Sequence, residues 1–182
     1  MSRRKYPIRP SRQRGYSAPE LLVALVLLMI TVAAALPNFA AALQNYRLMN
    51  DARSIAGQVA LARVRAAADF TQAQVNFNIA NGTYQLQRWN KATNAFDIAE
   101  GGTQNLSTGV TFSFGSIGTP AGTQTTIQQT PQIIFNSRGT PANGGNYAIY
   151  LASAAGQVAG VTVAPSGKTN VWRWNGSTWK PY

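Results

Sequence analysis

Few side chains in this chain could carry out acid–base or nucleophilic chemistry, because it contains neither His nor Cys. The commonest general base and zinc ligand and the thiolate nucleophile are therefore absent. Asp97 and Glu100 are three residues apart, but paired carboxylates act as acid and base when they are held across a substrate, and these two are expected in a loop. Nothing in the spacing of Ser166 and Lys168 requires catalysis. The sequence therefore predicts no enzymatic activity, no metal site and no cofactor.

The C-terminal segment interleaves basic and aromatic side chains, a combination that can contact phosphates and stack on bases. These residues are Lys168, Trp172, Arg173, Trp174, Trp179 and Lys180. A structural interpretation is also open, in which an Asn175-Gly176 two-residue turn sets Trp172 opposite Trp179 in a hairpin. The tryptophans would then be core residues and the three cations an ordinary solvated face.

A single carboxylate, Glu20, stands at the start of an apolar run, residues 21–36, in which only Thr31 is polar. With its weakly polar flanks the segment 16–42 reaches the roughly 20 residues that span a bilayer as a helix. Burying a carboxylate at the edge of such a helix costs roughly a few kcal/mol, so it needs a partner that neutralises its charge. Pro37 is expected to kink or loosen the helix, because it lacks an N–H.

The net charge of +11 is concentrated at the N-terminus, where six of the sixteen basic residues lie within residues 1–14. Ten basic and five acidic residues remain after residue 15, a net of +5. A basic leader before an apolar helix stays on the cytoplasmic side of the membrane. Two other targeting signals are alternatives. Residues 2–6 faintly resemble a twin-Arg signal. Cleavage after residues 33–35 would make the apolar run an ordinary signal peptide, but it would not explain why helical character continues for thirty residues more.

Beyond Pro37 the sequence predicts an amphipathic helix that ends near residue 70. Its apolar positions recur at spacings of three and four: Leu48, Ala52, Ile55, Val59, Ala62, Ala66 and Phe70. Polar residues are expected largely on the opposite face: Arg47, Asp51, Ser54, Gln58, Arg65 and Asp69. The pairs Arg47–Asp51 and Arg65–Asp69 have the i, i+4 spacing of helical ion pairs.

From residue 71 the period falls to two, which predicts a β-rich domain over residues 71–182. The predicted strands are centred on residues 75–79, 84–86, 110–114, 133–135, 147–151 and 158–163, followed by the C-terminal hairpin, and Asn81-Gly82 is the first turn. The predicted fold class is α+β: one long helix, apolar in its first half and amphipathic in its second, packed on an antiparallel sheet.

The segment from Gly15 to Glu20 resembles the processing site of type IV prepilins and type II secretion pseudopilins. The resemblance implies that a prepilin peptidase, which is also an N-methyltransferase, cuts after Gly15 and that Tyr16 becomes the methylated N-terminus. It also implies that Glu20 neutralises a terminal amine during filament assembly and that Pro37 is the helix-kinking proline of pilins. Tyr16 in place of the commoner Phe and the pair Ala18-Pro19 depart from the family pattern.

Two further segments, residues 51–63 with Leu61-Ala62-Arg63 and residues 133–140 with Gly139, are similar to the GspH/FimT family of minor pseudopilins. This resemblance implies a single-pass inner-membrane protein with a periplasmic C-terminal domain that assembles with other pilins or pseudopilins. The filament would be a type II secretion pseudopilus or, alternatively, a type IV pilus. Some FimT-like members bind DNA through a basic C-terminal stretch, which would assign DNA binding to the segment from Lys168 to Lys180.

Overall fold

The computed structural model describes residues 15–182, so the predicted leader lies outside the described residues except for Gly15. Its first element is helix α1, Ala18–Ala68, close to the predicted 16–70. The carbonyl of Ser17 accepts the first helical hydrogen bonds, from the N–H groups of Glu20 at 3.1 Å and Leu21 at 3.2 Å. The helix is continuous through Pro37, which can donate no backbone hydrogen bond to the preceding turn.

The helix ends before Phe70, and the prediction that Phe70 belongs to its buried apolar face is wrong. Phe70 has a φ of 48° and is 80% exposed. A left-handed residue ends the helical path, so the spacing of three and four no longer determines which way its side chain points.

The second half of α1 belongs to a compact unit, Ala41–Tyr182, that also contains every strand. Its buried face includes all the predicted apolar positions from Leu48 to Ala66, together with Met49. The prediction that Asp51 lies on the polar face of the helix is wrong, because this residue is only 6% exposed. It accepts hydrogen bonds from the backbone N–H and the hydroxyl of Ser107, both at 2.8 Å, which explains how a charged group can be buried there.

Nine strands follow, and they form two antiparallel sheets where the sequence predicted one. The first sheet has the order β3-β2-β1-β5 and the second the order β4-β6-β7-β8-β9. The strands are β1 Ala73–Asn78, β2 Thr83–Asn90, β3 Ala95–Asn105, β4 Val110–Thr111, β5 Gln132–Phe135, β6 Tyr147–Ser153, β7 Val158–Val163, β8 Thr169–Trp174 and β9 Trp179–Pro181, with a 3-10 turn at Ala142–Gly144 between β5 and β6. The main hydrophobic core joins the buried face of α1 to both sheets, which confirms the α+β class and the packing of the helix on antiparallel strands.

The longest strand, β3, was not predicted, and the strand expected over residues 110–114 is only two residues long. Strand β3 lies at the edge of its sheet and none of its eleven residues is fully buried. Gly101 and Gly102 both adopt positive φ, and the pairing of β3 with β2 shifts register twice. An exposed, irregular strand of this kind has no apolar alternation for a sequence pattern to reveal.

The outer face of the second sheet is covered by residues 113–130, which lie on a small second core around Tyr150. The hydroxyl of Tyr150 accepts the backbone N–H of Ala121 at 3.0 Å. The amide of Gln129 bonds both the carbonyl and the N–H of Tyr150, at 2.8 and 2.7 Å, as a neighbouring strand would. Burial raises the pKa of Tyr150, and the Ala121 hydrogen bond partly opposes that rise.

The register predicted for the C-terminal hairpin is also wrong. Trp174, not Trp172, lies opposite Trp179, and Trp172 pairs with Pro181. The loop has four residues, since the Asn175 side-chain oxygen accepts the backbone N–H groups of Ser177 and Thr178 at 3.0 and 2.7 Å. This Asn-capped turn competes with the two-residue Asn-Gly turn on which the prediction depended.

Candidate functional site

The first candidate surface is the exposed apolar half of α1. Its large apolar side chains between residues 21 and 36 are each 48–63% exposed, from Val32 to Leu22. Within residues 15–182, α1 is the one helix long and apolar enough to cross a membrane. So much exposed apolar surface is stable only in a bilayer or against other apolar surfaces.

Two of the predicted processing residues, Gly15 and Tyr16, precede this helix, and Glu20 lies in its first turn. All three are exposed, Tyr16 by 77%. A carboxylate in the first turn interacts favourably with the unpaired N–H groups and the positive end of the helix dipole. Glu20 therefore stabilises the start of the helix, and its exposed carboxylate is accessible to a second positively charged group.

The second candidate feature is an arginine that joins the helix to two turns of the β-domain. The Arg63 Nε donates to the carbonyl of Gly139 at 2.9 Å, and its Nη1 donates to the carbonyl of Gly167 at 3.2 Å. Arg63 belongs to the segment of residues 51–63 and Gly139 to the segment of residues 133–140, and the structure brings these two segments into contact. The sequence identified the segments but assigned Arg63 no partner, and it did not connect Arg63 with Gly167.

Glycine is required at the point where Arg63 meets the two turns. Gly167 has a φ of +81°, and a Cβ there would lie 2.9 Å from the Gly139 carbonyl oxygen and 3.1 Å from the Arg63 Nε. Gly139 is also left-handed, at +71°. Only a residue without a side chain combines this backbone conformation with so close an approach.

The carboxylates of the unit Ala41–Tyr182 take part in structural contacts. The predicted helical pairs Arg47–Asp51 and Arg65–Asp69 are absent from the ion pairs of residues 15–182. Arg65 pairs instead with Glu100 of β3, and Arg88 of β2 bonds Asp69 at 2.8 Å. The hydrogen bond that Arg88 donates to Asp69 is also the main reason that the pKa of Arg88 is raised.

Asp97 and Glu100 lie on strand β3, not in the expected loop. The Asp97 carboxylate accepts hydrogen bonds from Thr93 at 2.6 Å and Asn90 at 3.3 Å, and Glu100 is paired with Arg65. Their partners are therefore structural side chains of the same sheet and of α1. Among residues 15–182 no three His, Cys, Asp or Glu side chains are grouped so that they could hold a metal ion.

The predicted nucleic-acid segment is divided between two faces of the second sheet. Trp172 is the strand partner of Gly160, and a Cβ added at Gly160 would meet the Tyr150 ring, so Trp172 lies on the Tyr150 side. Trp172 and Trp179 pack against the second core, and Trp174 meets Trp179 edge to face at 5.3 Å. The indole N–H groups of Trp172 and Trp179 bond Thr162 and Thr119, both at 2.8 Å.

The cations lie elsewhere. Arg173 and Lys180 are cross-strand partners at the alternate positions, so they lie on the opposite face of the sheet from the tryptophans. Lys168 precedes β8 at the other end of that strand, next to Gly167. The structure therefore brings Arg173 and Lys180 together and holds Trp172 and Trp179 at the second core, whereas Trp174 lines the same surface pocket as the two cations.

No protein-family model and no curated protein sequence matches this chain significantly. Solved structures with a similar fold exist. The minor pseudopilin EpsH from the Type 2 Secretion System of Vibrio cholerae is 11% identical with a TM-score of 0.51, over 69% of this chain and 95% of EpsH. The type IV minor pilin FimU of Pseudomonas aeruginosa is 10% identical with a TM-score of 0.50, over 75% of this chain and 94% of FimU. This similarity shows that the chain has a type IV pilin-like fold.

Proposed function

We propose that this chain is a minor subunit of a type IV pilin-like filament and has a structural, not an enzymatic, role. The main support is the combination of a pilin-like fold with an apolar half-helix whose side chains are exposed. Such a helix needs a membrane before assembly and neighbouring apolar helices afterwards. The processing motif at Gly15, Tyr16 and Glu20 supports the same function.

In this proposal the basic leader keeps the N-terminus in the cytoplasm and residues 16–42 anchor the chain in the inner membrane. The domain of residues 71–182 lies in the periplasm. A prepilin peptidase removes residues 1–15 and methylates the amine of Tyr16. Glu20 then pairs with a terminal amine of its own chain or a neighbour, which offsets the cost of burying a carboxylate among apolar helices.

The filament can belong to either of two systems. EpsH is a pseudopilin of a type 2 secretion system and FimU is a type IV minor pilin, and their folds resemble this chain to the same degree. We propose a secretion pseudopilus as the first candidate and a type IV pilus as the second. Complementation of strains that lack the corresponding subunit, scored by protein secretion and by surface pili, distinguishes them.

The experiment that tests the proposal is the intact mass of the membrane-extracted protein after expression with and without a prepilin peptidase. We expect the mass of Tyr16–Tyr182 plus one methyl group with the peptidase, and the full-length mass without it. The Glu20→Ala variant should enter the membrane as the native chain does but fail to assemble. A full-length mass in both cases, or a new N-terminus near Leu36, would contradict the proposal.

A further inference from the structure

A groove of about 630 Å³ lies beside the C-terminal hairpin. One wall is the β6–β7 turn at Gly156 and Gln157, and the other is formed by both strands of the hairpin, including Arg173, Lys180 and Tyr182. All of these residues belong to the compact unit Ala41–Tyr182. The groove is therefore a feature of the β-domain and is separate from the apolar half of α1.

The groove places like charges next to one another. Arg173 and Lys180 are direct cross-strand partners and both line it. A third cation reaches its edge, because the Arg53 guanidinium lies 4.6 Å from the centroid of the Tyr182 ring. Like charges directly opposite each other destabilise a sheet, so this pairing is a local cost of the kind found at functional sites.

Within residues 15–182 no carboxylate forms an ion pair with any of these three cations. The acids of the unit Ala41–Tyr182 already have partners: Asp51 accepts from Ser107, Asp97 accepts from Thr93, and Asp69 and Glu100 bond the arginines of α1 and β2. The excess positive charge of the groove is therefore not neutralised by the rest of the described chain.

We propose that this groove binds a carboxylate-rich peptide segment of a partner protein. Two cations on the hairpin and a third on α1 at the edge of the groove match several carboxylates in a row better than one small acid, and charge-assisted hydrogen bonds to carboxylates are the strongest that Arg and Lys make. Nucleic acid fits less well, because the indoles of Trp172 and Trp179 are held on the opposite face. Trp174 does line the groove, but its ring packs against Trp179 at 5.3 Å, so it is a single and partly occupied stacking surface. The proposal goes beyond filament assembly and does not depend on it.

The test uses the full chain in a neutral detergent with a photoreactive hexaglutamate peptide as the probe. Mass spectrometry locates the cross-links, so binding to the groove is distinguished from binding to the basic residues 1–14. We expect cross-links within residues 156–157 and 173–182 and none with hexaglutamine. The double variant Arg173→Gln/Lys180→Gln should weaken this binding by roughly tenfold or more, because both charged donors are lost.

The matched control is Lys91→Gln/Arg138→Gln, which removes the same charge from two exposed turns outside the groove. It should bind hexaglutamate as the native chain does. Cross-links confined to residues 1–14, or an equal loss in both double variants, would overturn the proposal. If a photoreactive oligothymidylate labels the groove and displaces hexaglutamate, the ligand is nucleic acid and the peptide assignment is wrong. Each outcome is independent of whether the chain is cleaved or assembled.

Discussion

Replacing Gly167 by Ala should destabilise the β-domain more than the same replacement at Gly156. The two glycines occupy equivalent turns: in each, the glycine N–H donates to the residue three positions earlier, at 2.8 Å for Gly167 and 2.9 Å for Gly156. Their φ angles are also alike, +81° and +78°. The difference is in their surroundings, since a Cβ at Gly156 meets nothing within 4 Å, whereas one at Gly167 meets Gly139 and Arg63.

The shared left-handed backbone should cost about 1–2 kcal/mol when Ala replaces either glycine. At Gly167 the contacts with the Gly139 carbonyl and the Arg63 guanidinium add roughly 1–3 kcal/mol of overpacking. We therefore expect about 1–2 kcal/mol of destabilisation for Gly156→Ala and about 2–5 kcal/mol for Gly167→Ala. Part of the larger loss comes from the hydrogen bonds of Arg63, which must shift to make room.

The assay is denaturant unfolding of the full chain in a neutral detergent, followed by tryptophan fluorescence. The variant Arg63→Ala completes a double-mutant cycle, because it removes one of the two groups that crowd Gly167. We expect the combined variant to cost less than the two single losses together, with a coupling of roughly 0.5–3 kcal/mol. If Gly167→Ala and Gly156→Ala differ by less than about 0.5 kcal/mol, the close approach of Arg63 and Gly139 to Gly167 is refuted.

Two further variants test other buried polar contacts. Asp51→Ala should cost about 2–4 kcal/mol because it leaves the half-buried N–H and hydroxyl of Ser107 without their charged acceptor. Asp97→Ala, on an exposed strand, should cost under about 1 kcal/mol in the same unfolding assay, and equal losses would contradict the role of Asp51. For Tyr150, burial raises the pKa above its ordinary value of 10.0, so the unfolded chain releases this proton first, and the contribution of Tyr150 to stability should be constant below about pH 10 and fall above it. Tyr150→Phe should lose about 1–2 kcal/mol at neutral pH, since the Ala121 N–H loses its acceptor, but its stability should fall less steeply in alkali; an unchanged slope would contradict this explanation.

The helix was predictable because its apolar residues follow a clear helical spacing. The buried face from Leu48 to Ala66 follows directly from apolar spacings of three and four, and the apolar first half needs no partner to be recognised. Asp51 shows the limit of this reasoning. Its position on the helix indicated a polar face, but its partner Ser107 is 56 residues away, and no local pattern reports a contact at that distance.

The strands were predictable where they line the core and unpredictable where they do not. Strand β7, Val158–Val163, is buried throughout and agrees with the prediction, whereas the exposed β3 was missed. The division into two sheets depends on long-range pairing, such as that of β1 with β5, which the order of the strands along the chain does not reveal. For the site, the sequence singled out the segment that contains Arg63 and the segment that contains Gly139. The hydrogen bonds that connect Arg63 with Gly139 and Gly167 were found only in the folded structure.

The C-terminal hairpin shows why interleaved residues need a structure before they are assigned a ligand. In a strand, neighbouring side chains point to opposite faces, so Trp172 and Arg173 lie on opposite faces of β8, although Trp174 at the end of the strand also lines the groove. Alternation directs Trp172 and Trp179 toward Tyr150 and the pair Arg173–Lys180 toward the groove. The pattern that suggested nucleic-acid binding is thus, in a hairpin, the pattern that builds an aromatic core on one side and a cationic groove on the other. The aromatic side stabilises the hairpin, and this leaves the cations free to take a ligand without any loss of core packing.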